Sequence, residues 1–192
     1  MRKIILMMSV SLDGYFEGPD RELDWHMVDD ELLGHFNEWL SAMGAFLDGR
    51  VTYELMTGFW PTVDTDPAST VLMAEFARIW RDMPKIVYSR TLERADWNAI
   101  VVRDVVPEEV MELKAQPGGD MVLGGAGLAA SFMRHDLIDE YRFYVHPVLI
   151  GQGKLLFQPS GSKINLRLTE TRTFGNGVVL LRYQRPEDRG RR

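Results

Sequence analysis

The chain has 192 residues, 45% of them hydrophobic, enough for one well-buried core and short for two domains. A formal charge of −6 does not provide the basic face that nucleic-acid binding requires, and the absence of cysteine removes disulfides, thiolate metal sites and cysteine nucleophiles. The expected organisation is one domain over residues 1–186, with a disordered basic tail at 187–192 ending in Arg189-Gly-Arg-Arg192. The apolar run Ile4 to Val10 is too short for a signal core and leads directly into Asp13 and Glu17. A cytoplasmic protein without membrane contact is therefore expected.

Lys3 to Ser11 reads as a central strand, and a long polar connection from Ser11 to Trp25 follows, of the kind that often forms a lid or part of a site. Asp29 or Asp30 caps the next helix, whose stripe of Leu32, Leu33, Phe36, Trp39, Leu40 and Met43 has helical spacing. Ala45 to Asp48 is a short strand, and helical periodicity resumes from Gly49-Arg-Val-Thr-Tyr-Glu54. Asp66-Pro67 predicts another helix start, with Asp as cap and Pro at the first helical position. Lys85 to Tyr88 and Ile100 to Arg103 are strands, and Pro107 opens a helix that stops at Pro117-Gly-Gly119. The strand from Met121 breaks into Gly124-Gly-Ala-Gly127 before a helix from about Leu128 to His135. Tyr141 to Val148 is a strand, and Asn165 to Arg172 with Val178 to Arg185 form a hairpin around Phe174-Gly-Asn-Gly177. This alternation predicts a three-layer α/β fold, its mainly parallel sheet carrying an antiparallel C-terminal hairpin.

In open parallel sheets, ligands collect beyond the carboxyl ends of the strands. Four segments follow strands in this way: Ser11 to Gly14, Gly49 to Thr52, Ser89 to Thr91, and Gly124 to Gly127. Glycines at a strand-to-helix turn admit a close anionic group, and the free N–H groups of the helix start attract it. Arg50 with Thr52, and Ser89 with Arg90, each pair a cation with a hydroxyl, as phosphate oxygens require. A pyrophosphate cradle plus a separate basic pocket fits NADP. Arg50 and Arg90 also read as ordinary solvated arginines, and Gly-Gly as a plain corner.

Ser11-Leu-Asp-Gly-Tyr15, Leu23-Asp-Trp25, Gly49-Arg-Val-Thr-Tyr-Glu54, Val87-Tyr-Ser-Arg-Thr91, Gly124-Gly-Ala-Gly-Leu128, Asp139-Glu140 and Pro147-Val-Leu-Ile-Gly-Gln-Gly153 occur in an order and spacing that resembles a known family. It is the riboflavin-biosynthesis reductase (RibD C-terminal) branch of the dihydrofolate reductase superfamily. The resemblance implies a dihydrofolate reductase-like fold that binds NADPH through Gly49, Arg50, Thr52, Ser89, Arg90, Gly124, Gly125, Ala126, Gly127 and Leu128. It places a substrate pocket between Asp13, Trp25 and the start of the first helix, with Tyr15 and Trp25 as substrate contacts. Asp30 stands at the offset from Trp25 where dihydrofolate reductases carry the carboxylate that holds the pterin.

Two polar supports of a pterin site are replaced, by Ala129 and Val145, and Thr62-Val-Asp-Thr-Asp66 is acidic where a folate tail would dock. These departures argue against folate itself. With no cysteine for a zinc site and no spare length for a second domain, a stand-alone reductase unit without a zinc deaminase domain is expected. The expected function is NADPH-dependent hydride transfer to a small C=N or C=O substrate, with Asp30 as first candidate for proton donor and Asp13 as second. Burial would have to raise the donor's pKa. Asp13 also reads as part of an Asp-Gly turn, and Asp29 or Asp30 as a plain cap. Arg21 and His26 read as solvated loop residues, and His35 and His135 as structural. No metal site is expected. The alternative is a non-catalytic NADP(H)-binding module or redox sensor, and the apolar residues of Tyr141 to Ile150 and Leu155-Leu-Phe157, with the resemblance to the riboflavin-pathway reductases, suggest a homodimer.

Overall fold

The computed structural model describes residues 1–157 and 163–186; the tail expected at 187–192 lies outside them. The elements in chain order are β1 (Ile4–Ser11), β2 (Tyr15–Glu17), α1 (Asp30–Ser41), β3 (Ala45–Gly49), α2 (Arg50–Thr57), α3 (Val71–Asp82), β4 (Lys85–Tyr88) and β5 (Ala99–Val102). They continue with α4 (Pro107–Ala115), β6 (Met121–Gly124), α5 (Ala126–Arg134), β7 (Glu140–His146), β8 (Lys154–Leu155), β9 (Arg167–Thr173) and β10 (Val179–Gln184).

Eight strands form one sheet in the order β5-β4-β3-β6-β1-β7-β10-β9. β1 lies between β6 and β7 and is parallel to both, with Leu6 opposite Leu123 and Tyr141. β3 is parallel to β4 and β6, and β5 to β4, whereas β10 runs antiparallel to β7 and β9 to β10. The mainly parallel sheet with its antiparallel hairpin is the architecture expected from the alternation of elements.

Strand side chains alternate between faces, and this alternation builds two cores. Ala45, Leu47, Met121, Leu123, Tyr141 and Phe143 pack with Leu128 and Phe132 of α5 on one face. Phe46, Val122 and Tyr144 pack with Leu32, Phe36 and Leu40 of α1 and with Phe76 and Trp80 of α3 on the other. Because β1, β3, β4 and β6 point the same way, their carboxyl ends at Ser11, Gly49, Tyr88 and Gly124 open on one edge of the sheet. The site is built on that edge.

Two local expectations need correction. The helix predicted from Asp66-Pro67 begins at Val71, where the Thr70 hydroxyl accepts a hydrogen bond from the Met73 amide (3.2 Å). Asp66 instead ends a 3-10 turn over Trp60–Thr65, and its carboxylate accepts from the Ala68 amide at 2.9 Å. An aspartate that bonds the backbone two residues on closes a turn rather than starting a helix. The connection from Ser11 to Trp25 is also less open than its polarity suggests, because β2 pairs with β8 in a small antiparallel sheet. That pairing spans more than a hundred residues and leaves no local signal.

Candidate active site

α2 and α5 start side by side on the open edge, each from a glycine, Gly49 and Gly125, with no side-chain cap. Their first-turn N–H groups are therefore left for a ligand or water. Gly125 has φ +88, and a Cβ there would collide with Thr52 Oγ1. A Cβ on Gly124 would lie 2.7 Å from Asp48 Oδ1, while one on Gly127 would meet nothing within 4 Å. Gly124 and Gly125 are thus required by the packing of β3 and α2 behind the turn. Gly127 meets no such neighbour among the described residues and faces open space.

Two clefts meet at this turn, sharing Gly49, Gly127 and Leu128. The first, of about 480 Å³, is polar and lined by Ser89, Arg90, Arg103, Ser131 and Arg134 among others. Arg90 Nε is 2.7 Å from Asp104 Oδ1, so this cation is already engaged. Arg103 donates only to the Ser89 and Leu92 carbonyls (3.1 and 2.7 Å), and Arg134 to Ser131 Oγ (3.0 Å). Neither has an acidic partner among the described residues. The Ser89 hydroxyl accepts from the amides of Thr91 and Leu92 and so shapes the turn after β4.

The second cleft, of about 500 Å³, runs from Arg50, Thr52 and Gly124–Leu128 to an apolar chamber formed by Met7, Met8, Phe16 and Leu23. Arg50 binds Glu54 one turn along α2 (2.8 Å). Thr52 lines this cleft and also packs behind Gly125, where it supports the turn. Glu17, Arg21, His26 and Lys154 complete the chamber, with Glu17 buried and ion-paired to Lys154 across the β2–β8 pair. Arg21 stands at the lip in the left-handed region (φ 67), a conformation uncommon for a residue other than glycine.

His26, expected as a solvated loop residue, packs into the wall. Its ring stacks on that of His146 (5.2 Å, 16°), and Trp25 meets both edge-on. His146 is fully buried, and its Nδ1 accepts from the Met27 amide at 3.0 Å, so Nε2 carries the proton. Burial holds both histidines neutral, with pKa values pushed down to about 4.

The residues expected to do the chemistry are placed differently. Asp30 is the exposed first residue of α1, and Asp29 is the cap, accepting from the Leu32 amide (3.0 Å). Asp30 lines neither cleft and lacks the burial required of a proton donor. Asp13 is tied to the loop after β7, accepting from the amides of Ile150 (3.3 Å) and Gly151 (2.8 Å). Hydrogen bonding from the Ser11 hydroxyl and from these amides outweighs burial and holds its carboxyl below the usual range, so it accepts and does not donate. Tyr15 and Trp25 are not among the residues that line either cleft: Tyr15 lies in β2 with its amide on Ser11 Oγ (3.0 Å), and Trp25 Nε1 donates to the Glu22 carbonyl (3.2 Å). Arg103 and Arg134 escaped sequence reasoning, although two signals mark them. Arg103 directly follows β5, and Gly127, Ser131 and Arg134 share one face of α5 by their spacing.

The family model of the RibD C-terminal domain matches residues 2–180. The Bacillus subtilis (strain 168) protein YyaP, described as uncharacterized, is 38% identical over 183 residues, covering 95% of this chain and 94% of its own. Among solved structures, a Shewanella sp. PV-4 protein provisionally assigned to riboflavin biosynthesis superposes with a TM-score of 0.73 at 20% identity, over 96% of this chain and 99% of that one. Dihydrofolate reductase from Enterococcus faecalis, complexed with NADP(H) and RAB-propyl, superposes with a TM-score of 0.63 at 14% identity, over 96% and 97%. The chain belongs to the RibD C-terminal domain family and has the dihydrofolate reductase-like fold.

Proposed function

We propose that the protein is an NADPH-dependent reductase that transfers hydride to a small C=N or C=O substrate of pteridine or ribosylamino-pyrimidine type. The observation that carries this reading is the groove itself: a polar, arginine-lined cleft and an apolar chamber joined at a glycine turn where two uncapped helices begin. Family membership and the NADP(H) complex of the Enterococcus enzyme support the choice of cofactor. The fit to this chain rests on Gly127, whose missing Cβ leaves room that no atom of the described residues fills.

In this reading the first turns of α2 and α5 hold the pyrophosphate, and Arg103, Arg134 and Ser131 hold the 2′-phosphate beside Arg90. The bound nicotinamide supplies the hydride. Met7, Met8, Phe16 and Leu23 exclude water from the chamber, which strengthens every electrostatic contact inside it. The Glu17–Lys154 pair is the ion pair that lines the chamber and replaces Asp30 and Asp13 as the candidate proton source.

The test is NADPH oxidation with dihydrofolate, a ribosylamino-pyrimidine and a simple imine as acceptors, together with calorimetric binding of NADPH and NADH. Arg134→Ala is expected to weaken NADPH about tenfold and leave NADH unchanged, since it removes one charged phosphate contact. Equal affinity of the native protein for NADPH and NADH contradicts the phosphate assignment. Tight binding with no oxidation by any acceptor favours the non-catalytic module.

A further inference from the structure

Asp48 is the penultimate residue of β3 and only 3% exposed. It lies in register opposite Gly124, close enough that a Cβ on that glycine would sit 2.7 Å from Asp48 Oδ1. Among the described residues no hydrogen bond reaches its carboxyl and no cation lies within ion-pair distance. The nearest influence is Lys85 on β4, whose ammonium is taken up by the carbonyls of Trp80, Met83 (2.8 Å) and Trp97 (2.9 Å) and lies over the Trp80 ring.

We propose that Asp48 makes dinucleotide binding proton-coupled: its buried carboxyl lies directly beneath the glycine turn, so a bound pyrophosphate and an ionised Asp48 oppose one another and binding protonates Asp48. This inference rests on the cofactor reading above. Both anions draw on the same positive resource, the N-termini of α2 and α5, and the buried carboxyl has little water around it to screen that opposition. Burial already favours the neutral carboxyl, pushing its pKa up to about 7 against the opposing pull of Lys85. A further negative charge overhead moves it in the same direction.

The ionisable groups on the elements packed around Asp48 are few. β4 carries Lys85 and Tyr88, and burial raises Tyr88 to about 12, out of the relevant range. α2 carries Arg50, Tyr53 and Glu54, of which Arg50 and Glu54 are paired with each other; α5 carries only Arg134, at its far end, and β6 none. Burial lowers Lys85 as well, to about 8, with Asp48 and Asp82 opposing the shift.

The probe is NADP+, which avoids hydride chemistry, titrated calorimetrically into the native protein and Asp48→Asn between about pH 6 and about pH 8.5. The 2′-phosphate of the nucleotide itself titrates near about 6, so the quantity read is the ratio of the two dissociation constants at each pH. The native protein is expected to lose about tenfold in affinity relative to Asp48→Asn across this range. At neutral pH, native binding is also expected to take up protons, seen as a heat that depends on the ionisation enthalpy of the buffer; this measurement needs no variant. Parallel pH profiles with buffer-independent heat overturn the inference while leaving the cofactor reading intact. No NADP+ binding at any pH, in either protein, overturns both.

Discussion

Buried histidines that face one another need a reason to stay neutral, and His26 with His146 has two: both rings are withdrawn from water, and a charge on one would face the other across 5.2 Å. A histidine whose folded pKa is depressed binds protons more readily once unfolded. Its contribution is intact above the ordinary value of 6.5 and is lost as pH falls toward about 4. His146, fully buried, is expected to account for a loss on the order of 3 kcal/mol over that interval, with a smaller share from the partly exposed His26. Denaturant unfolding at a series of pH values checks this, and His146→Asn is expected to flatten the acid slope. An equal slope in the variant would assign it elsewhere. Asp48 contributes with the opposite sign, because its raised pKa makes its contribution fullest below the ordinary value of 3.8 and removes it as pH rises through about 7.

Among the elements, β7 and β10 are joined by more than their ladder. Glu140 is fully buried on β7 and receives Arg182 from β10 through Nε (2.6 Å) and Nη2 (2.9 Å), Gln184 (3.0 Å) and its own neighbour Arg142 (3.0 Å). Burial raises its pKa, but these donors together hold it below the usual range. Replacing the carboxylate by an amide would remove the buried counter-charge of Arg142 and Arg182 and turn one acceptor oxygen into a donor, leaving Arg182 only its partly exposed pair with Glu170. Glu140→Gln is therefore expected to lower stability by about 3 kcal/mol, checked by the denaturation midpoint. A loss below about 1 kcal/mol would show that the network relaxes into water.

The element scale also separates what sequence could and could not reveal. The carboxyl ends of β3, β4 and β6 are readable because their apolar runs stop at Asp48-Gly49, Ser89 and Gly124, and the hairpin because Phe174-Gly-Asn-Gly177 interrupts two alternating segments. Glu17 and Lys154 are not, since only the β2–β8 pairing brings them together. Nor is His26: a histidine in a polar stretch looks solvated until its stacking partner, far along the chain, is known. The offset from Trp25 points to Asp30, yet it is Asp29 that caps α1 and leaves Asp30 in solvent.

For the molecule as a whole, the sheet brings the N-termini of α2 and α5 to one edge and sets an arginine-lined cleft and an apolar chamber on either side. No helix among the described residues is long and apolar enough to cross a membrane. Shape alone would suit several ligands, and Gly127 is the residue that discriminates between them. It lies in the first turn of α5, where an alanine methyl would meet no atom of the other described residues within 4 Å beyond its own helix turn, and alanine costs less backbone entropy than glycine. On folding grounds Gly127→Ala should be neutral or stabilising by about 0.5–1 kcal/mol. A bound pyrophosphate would occupy the space its methyl fills. The most direct test is therefore to measure the melting temperature and the NADPH dissociation constant of this one variant together. The account predicts an unchanged or raised melting temperature with at least about tenfold weaker NADPH binding. Undiminished NADPH affinity in a stably folded Gly127→Ala protein would contradict it.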